Sequence, residues 1–366
     1  MHDTAGLTPR ELVRRALRFD PTPRVPRQLW VLPWAAQRHP QELAAIQRDF
    51  PDDIRAPEVI LPPVQGVKGD PWAVGANIDE WGCEFVRIQP GVLGEVKNPM
   101  VRSYESDLDK VRPPYEWVDL DTDVLNRSCA GSEYFMLLPV PLRPFERMQF
   151  LRGTQNLCRD LLDQPAGLFE LRDRIHEWDL AVIDRWSRTD VDGIQWGDDW
   201  GAQQSLLIRP ALWRELFKPL YAEYVKRIHA AGKFAFMHTD GYVFDIYEDL
   251  IEIGVDAINS QLFCMNIEEI GRRFRGRITF WGEIDQQHTL SFGSSEETRD
   301  AVRRVARALY DGSGGVIAQC WFGLNVRSEN VRAVFDEWNR VSDAAGGPGP
   351  RGPSAGDRET APGGSK

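Results

Sequence analysis

At 366 residues, with 42% hydrophobic and 27% charged side chains, the chain has the composition of a globular protein able to bury a large core. Its 55 acidic and 44 basic residues, a formal net charge of -11, argue against nucleic acid as a partner, and no apolar run approaches the roughly 20 residues of a membrane span. The N-terminus lacks the apolar core of a signal peptide, which implies the cytoplasm, and the five scattered cysteines, with no C-x-x-C pair, are not a disulfide framework.

Thr8, Pro9 and Glu11 form a helix start in which Thr8 caps, Pro9 takes the first helical position and Glu11 completes a capping box. This helix is expected to run to about Phe19. A strand follows from Gln28 to Leu32, then a helical pattern from Pro40 to Phe50, then a second strand from Pro57 to Leu61. Asp70 to Pro99 breaks the rhythm with short alternating runs on either side of Pro90-Gly91, the pattern of a β-hairpin. It reads as an insertion of about residues 62–132 laid over one end of the main domain, with Trp81, Phe85 and Val86 packing it.

From Glu133 a regular alternation resumes. Apolar runs beginning near Tyr134, Asp192, Phe234, Val255, Ile278 and Gly315 are each followed by an amphipathic helical pattern. With the two earlier runs these make eight strands, which predicts an α/β fold, a (β/α)₈ TIM barrel with a β-hairpin insertion after strand two. No G-x-G-x-x-G follows the first strand to favour a dinucleotide-binding sheet instead. Residues 1–343 are assigned to the barrel domain, and the Gly/Pro/Ser-rich segment 344–366 is expected to be a disordered tail.

In such a barrel the C-terminal strand ends converge on one mouth. Strand four ends in WGDDWGAQQ, carrying Asp198, Asp199, Trp200 and Gln203. Strand five ends in FMHTDG, with His238 and Asp240 two residues apart and so on one side of an extended chain. Strand six offers Asn259 and Gln261, strand seven Trp281, Glu283 and Asp285, and strand eight Cys320. Zinc in a catalytic site takes three ligands from His, Cys and carboxylate and keeps one position open. His238, Asp240 and Cys320 can supply that set, with Glu283 as a fourth ligand or a base. Against this stand plainer roles: Cys320 as a small buried apolar residue, Glu283 and Asp285 as loop-holding carboxylates, and one of Asp198 and Asp199 as a helix cap. Trp30, Trp34, Trp196, Trp200, Trp281, Trp321 and Phe322 can wall a pocket for a flat organic ligand or serve as barrel core.

From about Arg10 to Val341 the chain resembles the uroporphyrinogen decarboxylase superfamily, which includes zinc-dependent methyltransferases that work with corrinoid proteins. The resemblance is carried by IQWGDDWGAQQSLLIRPALWRELFKPLYAEYVKRIHAAG, DEWGCEF, FMHTDG, GVDAINSQ and FWGEID. The decarboxylase branch implies an N-terminal arginine-rich stretch and a late Gly-His-Gly; here those regions read VPRQLWVLPWAAQRHP and AQCWFG. The methyltransferase branch implies zinc on a His-x-Cys pair and a later Cys. His238 and Cys320 match, and Asp240 stands in the place of the first Cys.

The resemblance therefore implies a zinc-dependent methyltransferase moving methyl between a small organic substrate and a corrinoid. His238, Asp240 and Cys320 would be the ligands, and Glu283 a fourth ligand or proton carrier. Asp199 and Asp198 would act at the reacting centre, with Trp200, Gln203, Asn259, Gln261 and Trp281 around the substrate. A corrinoid protein is the implied partner, and the sequence allows a homodimer. The alternatives are a metal-free carboxy-lyase, with Asp198 or Asp199 stabilising a cationic intermediate, and a barrel that binds its ligand without turnover.

Overall fold

The computed structural model describes residues 6–90 and 94–346. Eight parallel strands form its centre: β1 (Arg27–Val31), β2 (Ile54–Arg55), β3 (Phe135–Pro139), β4 (Gly193–Gly197), β5 (Phe234–Thr239), β6 (Ala257–Ser260), β7 (Thr279–Trp281) and β8 (Val316–Phe322). Their spatial order, β1-β8-β7-β6-β5-β4-β3-β2, is that of a (β/α)₈ barrel. Helices such as Ala166–Trp186, Lys218–Ala230, Ser295–Leu309 and Ser328–Gly346 form the outer layer.

Strand parity divides the core in two. Phe135, Leu137, Phe236, Ala257, Trp281 and Ile317 fill the barrel interior. Their strand neighbours Met136, Leu138, Ala235, Met237, Ile258, Phe280, Val316 and Ala318 belong to the cluster beneath the helices. Because both faces are buried, the strands read as continuous apolar runs, and the sequence does not display which residues face inward.

The lower end of the barrel is plugged by the helix Pro9–Leu17, whose Val13 and Leu17 join the interior cluster. Thr8 caps it as expected, its Oγ1 accepting from the Glu11 N–H at 3.2 Å. Arg10 and Arg14 pair with Asp192 at 3.0 and 2.6 Å, tying the plug to the start of β4. At the seam between β1 and β2, carboxylates take over part of the ladder. Asp53 accepts from the Arg27 N–H at 2.8 Å and Asp52 from the Leu29 N–H at 2.7 Å. The Arg24 guanidinium holds Asp53 with two bonds of 2.6 and 2.7 Å, so the seam rests on a charge-assisted pair.

The second strand differs from its expected place. It is Ile54–Arg55, paired with Phe135 and Met136, and residues 57–61 belong to no strand. Ile60 and Leu61 are solvent-exposed, and Pro57 has no N–H to give a ladder, so an apolar run there does not mean a core strand. The insertion contains the expected hairpin enlarged by a strand: Glu84–Arg87 pairs antiparallel with both Gly75–Ile78 and Glu95–Val96. Gly91 of the expected turn lies outside the described residues. Trp81 packs edge-on against Trp178 at 5.1 Å and anchors the insertion to the helical layer. The final helix continues to Gly346, past the expected start of the tail at Ala344; residues 347–366 lie outside the described residues. Among the described residues, no helix is long and apolar enough to cross a membrane, and all five cysteines are free.

Candidate metal centre at the barrel mouth

The loops after β4 and β5 meet through backbone. A Cβ on Gly201 would lie 2.3 Å from the Tyr242 nitrogen, and one on Gly241 2.3 Å from the Gly201 oxygen. Only a pair of glycines allows this approach, and Gly241 also needs its φ of +77°. The crossing brings Asp199 beside Asp240, whose backbone N–H donates to Asp199 Oδ1 at 3.0 Å. His238 Nε2 lies 3.7 Å from Oδ1 of each carboxylate. One donor atom from each of Asp199, His238 and Asp240 thus falls within 4.8 Å of the others.

The tautomer of His238 follows from its neighbour. The Asn259 amide nitrogen donates to the Trp281 carbonyl and, at 3.3 Å, to Gln319 Oε1. Its oxygen therefore faces His238 Nδ1, 2.7 Å away, and must accept from it. That fixes the proton on Nδ1 and leaves the lone pair of Nε2 directed at Asp199 and Asp240, the arrangement of a metal-binding imidazole held by a second residue.

The donor set suits a cation. Ligands about 2.0–2.2 Å from a tetrahedral ion stand roughly 3.3–3.6 Å apart, close to the separations here. Two further carboxyls crowd the site. Glu283 is 3% exposed, and burial, reinforced by Asp240, Asp199 and Asp285, holds its carboxyl well above the usual range. Burial also pushes Glu146 up to about 8, with Asp199 and Asp198 adding to the shift and Arg143 opposing it. Asp240 is raised by burial and by Asp199, against the pull of His238. Among the described residues, no Lys or Arg pairs with Asp199 or Asp240, and the one basic group beside them is the His238 imidazole, 3.7 Å from each. So much negative charge around one imidazole is costly without a further cation.

The structure sorts the remaining expected residues by the face they occupy. Cys320 is fully buried in the cluster beneath the helices, opposite Leu29 in the ladder, and does not join the Asp199–His238–Asp240 group. Its strand neighbours Gln319 and Trp321 are the inward ones: Gln319 meets Asn259, and Trp321 lies 6.0 Å from Trp30. Cys320, expected beside Asp240 as a ligand, is thus not among the residues that this group brings together.

Asp198 also turns outward. It accepts from the N–H groups of Phe145 and Glu146 at 2.8 and 2.9 Å and from the Tyr221 hydroxyl at 2.6 Å. It fastens the end of β4 to the start of the helix Pro144–Arg152 and is taken up structurally. Trp200 stacks on Phe145 at 4.1 Å and donates to Tyr221, fully buried and away from any opening. Trp281 packs edge-on with Trp30 and Phe236 inside the barrel and donates to Gln28, forming the floor under His238.

Gln203, Gln261 and Glu283 do come together. With Cys264, Asp285 and His288 they line a small cleft of about 60 Å³. Gln261 also accepts from the Gly241 N–H at 3.1 Å, which steadies the loop carrying Asp240. Asp285 is engaged locally, accepting from the N–H groups of Gln287, His288 and Thr289. Sequence reasoning missed Glu146. Its one signal is position, since it follows β3 in RPFERMQF, a strand-to-helix loop that opens on the mouth.

Residues 143–341, more than half of the chain, match the family model described as uroporphyrinogen decarboxylase (URO-D). No curated protein matches the sequence significantly. Among solved structures, the fold is similar to that of a methyltransferase from Methanosarcina mazei, at 16% sequence identity and a TM-score of 0.63, covering 92% of this chain and 99% of that one. The extent of the family match, on a barrel with the expected strand order, settles the relationship: this chain belongs to the uroporphyrinogen decarboxylase family.

Proposed function

We propose that the protein is a zinc-dependent methyltransferase of the corrinoid-linked type, which moves a methyl group between a small organic substrate and a corrinoid. The observation that carries this reading is the Asp199–His238–Asp240 group, with the His238 Nε2 lone pair freed by Asn259. The similarity to a methyltransferase fold supports it. Zn²⁺ held by these three residues would supply Lewis acidity toward a substrate atom at the remaining position. One imidazole and two carboxylates make a harder set than thiolates, which favours a substrate oxygen over sulfur.

The chain's own residues divide the other tasks. Asn259 orients His238, and Gln261 holds the Asp240 loop. Glu283, on the cleft shared with Gln203 and Gln261 and held well above the usual carboxyl range by burial, would give a proton to the substrate oxygen as the methyl group departs. In the reverse direction it takes that proton back. A corrinoid protein as partner and a cytoplasmic location belong to this reading.

The competing reading, a metal-free carboxy-lyase, draws on the name of the matching family model. The two separate in one assay. Methyl transfer from a methyl phenyl ether to reduced cobalamin is expected to fall at least about tenfold on chelation and to return with Zn²⁺. Release of CO₂ from a carboxylated substrate, undiminished by chelator and without methyl transfer, would establish the lyase instead.

A further inference from the structure

A second cavity, of about 410 Å³, lies between the insertion and the barrel mouth. Phe85, Phe150 and Trp117 give it apolar walls, with Phe85 and Phe150 in edge-to-face contact at 5.1 Å. Its charged lining is unequal. Asp79 and Glu80 are both taken up by Arg147. Arg87 is 6% exposed and lines the cavity, yet no carboxylate pairs with it among the described residues. Its Nη1 donates to the neutral Asn77 amide, and its Nε donates to nothing among the described residues. A guanidinium this buried, with no counter-ion, is expensive unless an anion completes it.

The far side of the same cavity reaches the reacting region. Arg143 and Glu146 line it, and the Glu146 N–H donates at 2.9 Å to Asp198, the residue before Asp199. A molecule spanning the cavity would therefore have one end at Arg87 and the other toward the metal-binding group.

We propose that this cavity binds a planar organic carboxylate, its carboxylate paired with Arg87, its flat body between Phe85, Phe150 and Trp117, and its other end toward Glu146. The apolar walls fit the body, and the planar fork of Arg87 fits a carboxylate in two-point contact. The inference deepens the methyltransferase reading by naming its substrate class and rests on the mouth being the reaction site. Binding itself requires neither metal nor methyl transfer.

The test is calorimetric titration of the full chain with 4-methoxybenzoate and with 4-methoxybenzyl alcohol, which keeps the ring and lacks the carboxylate. The carboxylate is expected to bind about ten- to hundredfold more tightly, the range of a charge-assisted contact. That advantage should fall to about threefold or less in Arg87→Gln and recover in part in Arg87→Lys, which restores charge without the fork. Equal binding of both compounds to the wild type would overturn the proposal, as would an Arg87→Gln protein that keeps the full preference. If Arg87→Gln does not fold, the wild-type comparison decides alone. Running the methyl-transfer assay on the same zinc-loaded protein keeps the two readings apart: a carboxylate preference in zinc-loaded protein that transfers no methyl supports the carboxylate site and counts against the methyltransferase.

Discussion

The β4–β5 side of the mouth and the β7–β8 side carry similar residue types at their strand ends and put them to opposite uses. On the first side Asp199, His238 and Asp240 project into the opening, with side chains 38%, 23% and 40% exposed. On the second, Cys320 faces the helical layer, fully buried, and Glu283 is 3% exposed, with burial holding its carboxyl well above the usual range. The difference teaches that a strand end supplies chemistry through parity. His238 shares its face with Phe234 and Phe236; Cys320 shares its face with Val316 and Ala318.

The largest effect that sharpens this contrast is expected at Asn259. Its amide fixes the tautomer of His238, so Asn259→Ala should weaken Zn²⁺ binding about 10- to 100-fold, read by competition with a chromogenic chelator. An unchanged affinity would mean that the imidazole is oriented some other way. The smallest effect is a pH dependence of stability. Glu146 titrates near 8 in the folded chain against an ordinary 4.5, so the folded state holds more protons between those values. Stability from this group is therefore complete below pH 4.5 and lost as pH rises toward 8. Thermal melts of metal-free protein should show Glu146→Gln losing less melting temperature than wild type between pH 5.5 and 8. Equal losses would place the Glu146 carboxyl outside the charged cluster.

The barrel was legible because alternation of apolar runs and amphipathic helices needs no knowledge of register. The error at strand two has the same root: VIL in residues 59–61 looks like core, yet Ile60 and Leu61 are exposed on a proline-bounded loop. At the site, His238 and Asp240 were legible from their spacing of two, and Asp199 from its place after β4. Cys320 was not, because VIAQCWF is apolar on both faces and shows no alternation from which its direction can be read. Arg87 gave no sequence signal of its own, and Glu146 only its position after β3. One acts through the counter-ion it lacks, the other through three distant charges, and both are properties of the folded chain alone.

The central claim is that the metal-binding group is Asp199, His238 and Asp240, without Cys320. Elemental analysis of Asp199→Ala and Cys320→Ser, each purified without chelator in the presence of zinc, tests it most directly. The structure predicts that Asp199→Ala loses bound zinc. Cys320→Ser should keep one equivalent, with a stability cost of about 1–2 kcal/mol from a hydroxyl buried among apolar side chains. Zinc lost from a folded Cys320→Ser protein and kept by Asp199→Ala would contradict the account.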